Sequence, residues 1–116
     1  MESEPTVLTP PITDELLQEI VARVVRRLPD CCLVLFGSHA NREARPGSDV
    51  DLMVITETDQ DPLALAGELY CILRPRTFPL DLVVMTPQEL RARRRGFDAF
   101  TREVLSSGRV LHGRLP

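Results

Sequence analysis

The chain predicts an α/β or α+β domain in which helices pack on a small sheet. Three observations predict it. Apolar residues recur at helical spacing in several segments, and short continuous apolar runs fall between those segments. Clusters of Gly, Pro and Asp separate the two kinds of segment. The resulting order is helix, strand, helix, strand, helix, strand, helix, helix. At 116 residues the length suits one domain, enough for a real core but not for two.

Residues Met1 to Ile12 read as a flexible N-terminal arm, because Pro5, Pro10 and Pro11 break regular structure, and the domain proper is read as 13–116. Thr13 is a fair N-cap, followed by Asp14 and Glu15 where the helix dipole favours acid. Leu16, Leu17, Ile20, Val21, Val24, Val25 and Leu28 then mark one apolar stripe, which Pro29-Asp30 ends. Cys31 to Phe36 is too short and too continuously apolar for a surface helix, so it reads as the first strand. Ser38 to Ala44 suits a short helix, and Arg45-Pro46-Gly47-Ser48 a loop. Asp49 to Thr56 is the second strand. Asp61-Pro62 opens a helix to about Arg74, with Leu63, Ala66, Leu69, Tyr70 and Leu73 as its inward residues. Leu80 to Met85 is the third strand. Thr86-Pro87-Gln88-Glu89 has the form of a capped helix start, and Gly96 stops that helix. Phe97 to Ser107 follows as the last helix, with Phe97, Phe100 and Val104 inward and Gly108 as C-cap. Arg109 to Leu111 fits an edge strand.

Composition narrows the function. Net charge is −3 and aromatics are 4%, which argues against direct nucleic-acid binding. All fourteen basic residues are Arg, so no lysine nucleophile or Schiff-base chemistry is possible. Cys31, Cys32 and Cys71 form no CxxC pair, and buried free thiols in a reducing compartment, with Cys71 in the core, are the expectation. No apolar run approaches a membrane span, and the N-terminus lacks the apolar core of a signal peptide. The expected location is the cytoplasm. The run Arg91 to Arg95 suits a solvated helix end that complements the dipole, with contact to RNA or an acidic partner as the alternative.

The chemistry concentrates between Leu33 and Ile55. An apolar run stops at Gly37-Ser38, ten residues follow, and Asp49-Val50-Asp51 opens the next run. Residues two apart on a strand share a face, so Asp49 and Asp51 are read as side by side. Asp81 lies inside the third apolar run, where a buried lone carboxylate would be costly without a partner. Three carboxylates from two strands, facing a Gly-Ser turn, suit two-metal phosphoryl or nucleotidyl transfer. The Ser38 hydroxyl and the amides after Gly37 would hold the outer phosphates. By composition alone the Gly-Ser and Asp-x-Asp spacing arises in about one chain of this length per thousand.

Gly37-Ser38, ten residues, then Asp49-Val50-Asp51 resembles the signature of the DNA polymerase β-like nucleotidyltransferase superfamily. The short length and the ending REVLSSGRVLHG look like its minimal nucleotidyltransferase (MNT) branch, over roughly Leu16 to Gly113. The resemblance implies a small mixed sheet with flanking helices. It implies that Asp49 and Asp51 bind two Mg2+ ions and that Asp81 completes the site on the nucleophile side. Gly37 and Ser38 would bind the nucleoside triphosphate, ATP in this reading. Members often read G-S-x-A-R-G-x-A, whereas this chain has Asn41 at the Arg position and Arg42 one residue later, so Arg42 is the phosphate candidate here. His39 is either a phosphate donor or a solvent-facing side chain of the short helix.

Larger relatives carry a second helical domain for the acceptor, and this chain is expected to be too short for one. In the MNT branch the partner is typically a HEPN-domain RNase toxin. The resemblance therefore implies an antitoxin enzyme that moves AMP from ATP to a hydroxyl of that toxin, a tyrosine by preference. Two alternatives follow from the same residues. One is an antitoxin that neutralises by binding alone; the other is a free-standing transferase acting on a small molecule or RNA.

Overall fold

The computed structural model describes residues 12–40, 44, 48–96 and 98–116. Four helices and four strands alternate nearly as the apolar pattern predicts. They are α1 (Asp14–Arg27), β1 (Cys32–Phe36), β2 (Val50–Ile55), α2 (Pro62–Ile72), β3 (Leu80–Met85), α3 (Pro87–Arg95), α4 (Ala99–Ser107) and β4 (Arg109–His112). The sheet order is β3-β2-β1-β4. β2 and β3 run parallel, joined through α2, while β1 runs antiparallel to both β2 and β4. The sheet is mixed and the fold is α+β, in line with the expectation.

Strand alternation divides the core into two layers. Leu33, Leu35, Val50, Leu52, Val54 and Leu82 face α1 and α2 and meet Leu17, Ile20, Val24, Leu65 and Leu69. Cys32, Val34, Met53, Ile55 and Met85 face the other way, toward Leu90 of α3 and Val104 of α4. The central strands are covered on both sides, which explains why β1 and β2 read as continuous apolar runs. Each fully buried Leu, Ile or Val contributes about 1.5–3 kcal/mol of transfer free energy.

The helix ends follow their sequence signals. Thr13 Oγ1 accepts from the Leu16 amide at 3.1 Å, and Thr86 Oγ1 accepts from the Glu89 amide at 3.1 Å. Ile12, read as the end of the arm, packs against the α1–α2 core layer.

Several details differ from expectation. Leu63 is 82% exposed, and Leu65 lies fully inside instead. The inward stripe of α2 runs through Leu65, Ala66, Leu69 and Leu73, and a residue two before Leu65 points about 160° from it at 100° per residue. The last helix starts at Ala99 because Asp98 caps it, accepting from the Phe100 amide at 3.2 Å. Its buried residues are Thr101 and Val104, whereas Phe100 is 40% exposed and meets Phe36 edge-on at 5.4 Å. Phe97, expected inward, lies outside the described residues. Cys71 is exposed on the outer side of α2 rather than in the core, while Cys31 and Cys32 are buried. The arginine run is partly spent on structure: Arg93 pairs with Glu89 and Asp98, and Arg94 donates to the Pro116 carbonyl. His112 Nε2 donates to the Pro29 carbonyl at 3.3 Å, a structural tie. Among the described residues, no helix is long and apolar enough to cross a membrane.

Candidate active site

The topology brings three segments to one end of the sheet. β1 ends there at Phe36, and β2 and β3 both begin there. Phe36 is paired with Asp51, and Asp51 with Asp81, so the two aspartates are directly opposite neighbours on parallel strands. Both share the parity of Met53, Ile55 and Met85, which puts them on the face that carries α3 and α4. Asp49 has the same parity and stands one residue ahead of β2 rather than within it. The Val50 amide, between the two aspartates, donates to the Pro79 carbonyl at 2.9 Å and ties the start of β2 to the start of β3.

Asp49 and Asp81 are exposed and Asp51 is half-buried. The expectation that Asp81 is a costly buried carboxylate does not hold. β3 is an edge strand, and its first residues open to water. Charge crowding is real at Asp51. Burial pushes its carboxyl above the usual range, the neighbouring charges of Asp81 and Asp49 push the same way, and His39 opposes them. Asp49 and Asp81 therefore both act on Asp51.

Gly37 closes the other side of the site. Its φ is +77°, a region that favours glycine, and a Cβ there would collide with the Asp51 Oδ2. The helix expected over Ser38 to Ala44 begins as one 3-10 turn, Gly37–His39, with Ala40 donating back to the Gly37 carbonyl at 3.1 Å. His39 is half-buried, not solvent-facing. Its Nε2 donates to the Ser48 carbonyl at 3.2 Å and so bridges the turn to the approach of β2. Arg42 and Asn41 lie outside the described residues. An open cavity of about 830 Å3 runs along Arg74–Leu80, the segment that leads into Asp81.

Hard, anionic oxygen donors held close enough to repel one another are a donor set for divalent cations. Among the described residues, no three carboxylate, imidazole or thiol side chains already stand at metal-ligand spacing. The glycine cradle against Asp51 and the raised Asp51 carboxyl nevertheless fit a cation as the missing counter-charge. Asp49, Asp51 and Asp81 are the side chains that would hold it.

The nucleotidyltransferase domain family model matches residues 17–111, which span every element from α1 to β4. The chain belongs to the nucleotidyltransferase domain family. A comparison with curated proteins finds no match. Among solved structures, the nucleotidyltransferase fold recurs in a candidate nucleotidyltransferase from Sulfolobus solfataricus, with a TM-score of 0.58 and 18% identity over 86% of this chain and 79% of that one. A toxin–antitoxin structure with AMP-PNP gives 0.56 and 24% identity over 84% of this chain and 73% of that one. A chain from the complex of a tri-AMPylated Shewanella oneidensis HEPN toxin with its MNT antitoxin gives 0.50 and 22% over 84% and 69%.

One residue beside these carboxylates has a role that its spacing does not announce. Tyr70 reads as a packing aromatic, yet its hydroxyl accepts from the Leu82 amide, next to Asp81, at 2.9 Å. No periodicity signals such a bond, since it depends on β3 being an edge strand.

Proposed function

We propose that this nucleotidyltransferase moves AMP from ATP to a hydroxyl, preferably a tyrosine, of a partner HEPN toxin, and so acts as its antitoxin. The observation that carries the proposal is the grouping of Asp49, Asp51 and Asp81 beside Gly37, with the Asp51 carboxyl raised by burial and then by its two neighbours. Similarity in fold to an MNT antitoxin found with an AMPylated HEPN toxin supports the choice of acceptor.

In this reading Asp49 and Asp51 would hold two Mg2+ ions, and Asp81 would complete the site on the acceptor side. When bound, the cations neutralise phosphate charge and acidify the acceptor hydroxyl. Gly37 and Ser38 seat the outer phosphates, and Arg42 adds charge to them. The acceptor oxygen forms a bond to the α-phosphorus as the bond to the bridging oxygen breaks. Pyrophosphate leaves, and the acceptor proton passes to Asp81. The acceptor approaches along the cavity at Arg74–Leu80, on the open edge of the sheet.

The test incubates the purified chain with α-labelled ATP, Mg2+ and its candidate HEPN partner. Label is expected on the partner, and Asp49→Ala is expected to abolish transfer while the two proteins still bind. Neutralisation of the toxin that survives Asp49→Ala and Asp51→Ala, without any label transfer by the unaltered chain, would make it a binding antitoxin instead. Label in an RNA or small-molecule fraction would assign a free-standing transferase.

A further inference from the structure

Asp81 sits on the outermost strand, where alternate backbone amides have no neighbouring strand to bond. The Leu82 amide is one of these, and the Tyr70 hydroxyl of α2 takes its hydrogen bond at 2.9 Å. Tyr70 is itself fastened. Arg76 donates to the Tyr70 carbonyl at 3.2 Å and lies over the Tyr70 ring at 5.5 Å from its centroid. Arg23 of α1 donates to the Arg74 carbonyl at 3.0 Å and to the Ile72 carbonyl at 3.4 Å, which secures the end of α2 and the start of the connection. On the inner side, the Pro79 carbonyl holds the Val50 amide between Asp49 and Asp51. The residues that lead into Asp81 are thus gripped from both edges.

We infer that Tyr70, supported by Arg76, is a positioning residue that sets where Asp81 stands relative to Asp51. The inference rests on the proposed metal-dependent site. Without Tyr70 the ladder to β2 holds Asp81 from one side only, and groups behind metal ligands change metal affinity by about 10–100-fold when removed. Tyr70 touches neither nucleotide nor acceptor in this reading. Its loss therefore acts on the cation held with Asp81 and spares the nucleotide seat at Gly37 and Ser38.

The test measures Mn2+ binding by electron paramagnetic resonance in the presence of a non-hydrolysable ATP analogue. Tyr70→Phe is expected to weaken the Mn2+ held with Asp81 by about tenfold and leave the analogue's affinity unchanged. Arg76→Ala is expected to move the same quantity in the same direction. The double variant is expected to fall short of the sum, because both act through one clamp. Thr86→Ala, which removes the cap of α3 beyond the opposite end of β3 from Asp81, controls for general loss of stability and is expected to leave Mn2+ binding unchanged. Two-ion binding in the unaltered chain that Tyr70→Phe leaves intact would overturn the inference alone. No Mn2+ binding by the unaltered chain would overturn the metal-dependent reading and this inference with it.

Discussion

Replacing Asp51 with Asn should make the protein more stable and catalytically silent. The Asp51 carboxyl is raised first by burial and then by Asp81 and Asp49. A group whose folded pKa is raised contributes stability that is fully present below its unfolded pKa and lost as pH rises through the folded value. Near neutral pH the ionised side chain is therefore a net cost to the empty protein. Adjacent strands lie ~4.8 Å apart. Two unit charges at that spacing repel by about 3.5 kcal/mol at an effective dielectric of ~20 and by about 0.9 kcal/mol in water. Asp49 and Asp81 are exposed, so solvent screening brings the figure toward the lower end, about 1 kcal/mol. For a chain of this length that corresponds to a rise of about 3–6 °C in Tm. Thermal unfolding in chelator-containing buffer measures it. With Mg2+ and an ATP analogue the order should reverse, since ligand at a hundred times its Kd stabilises the unaltered chain by about 2.7 kcal/mol. An Asp51→Asn variant no more stable than the unaltered chain without metal would refute the charge-crowding argument.

Gly37→Ala meets both a positive φ and the Asp51 carboxylate, so it should lower stability by about 1–3 kcal/mol and abolish nucleotide binding, read by chemical denaturation and by calorimetric titration with the analogue. Asp98 accepts from the Thr101 hydroxyl and from Arg93, which hold its carboxyl below the usual range. Its contribution should be present above the unfolded carboxylate pKa and fade as pH falls through the lowered value, and Asp98→Asn should flatten the acid limb of a Tm-against-pH curve. A thiol reagent should label Cys71 rapidly and spare the other two cysteines, because Cys71 is exposed whereas burial, with Cys32 beside it, pushes the Cys31 thiol up to about 11. Rapid labelling of all three by mass spectrometry would show that the α1–β1 corner opens readily.

Most of the architecture was legible because each element carries its own signal. Thr13 and Thr86 cap the helices they precede, and the continuous apolar runs of β1 and β2 reflect a sheet covered on both faces. Parity put Asp49 and Asp51 on one face, whereas the register that sets Asp51 opposite Asp81 depends on β2 and β3 being neighbours, which no local pattern gives. Harder to read were features that depend on which strand lies at the edge. Asp81 looked buried because its neighbours are apolar, yet an edge position leaves it in water. The same edge gives Tyr70 its role. Leu63 misled because spacing from Ala66 and Leu69 is compatible with helical period, while the packed stripe runs through Leu65, two residues on and on the opposite side of the helix. His39 was open to two readings, and its bond to the Ser48 carbonyl spans a loop whose closure no local pattern announces.

The most direct measurement is the intact mass of the HEPN toxin after co-expression with this chain or with its Asp49→Asn, Asp51→Asn variant. The account predicts toxin carrying one or more AMP groups, mapped to a tyrosine, with the unaltered chain, and unmodified toxin still bound to the variant. Toxin that is silenced but unmodified in both cases would contradict AMP transfer as the function of the three aspartates.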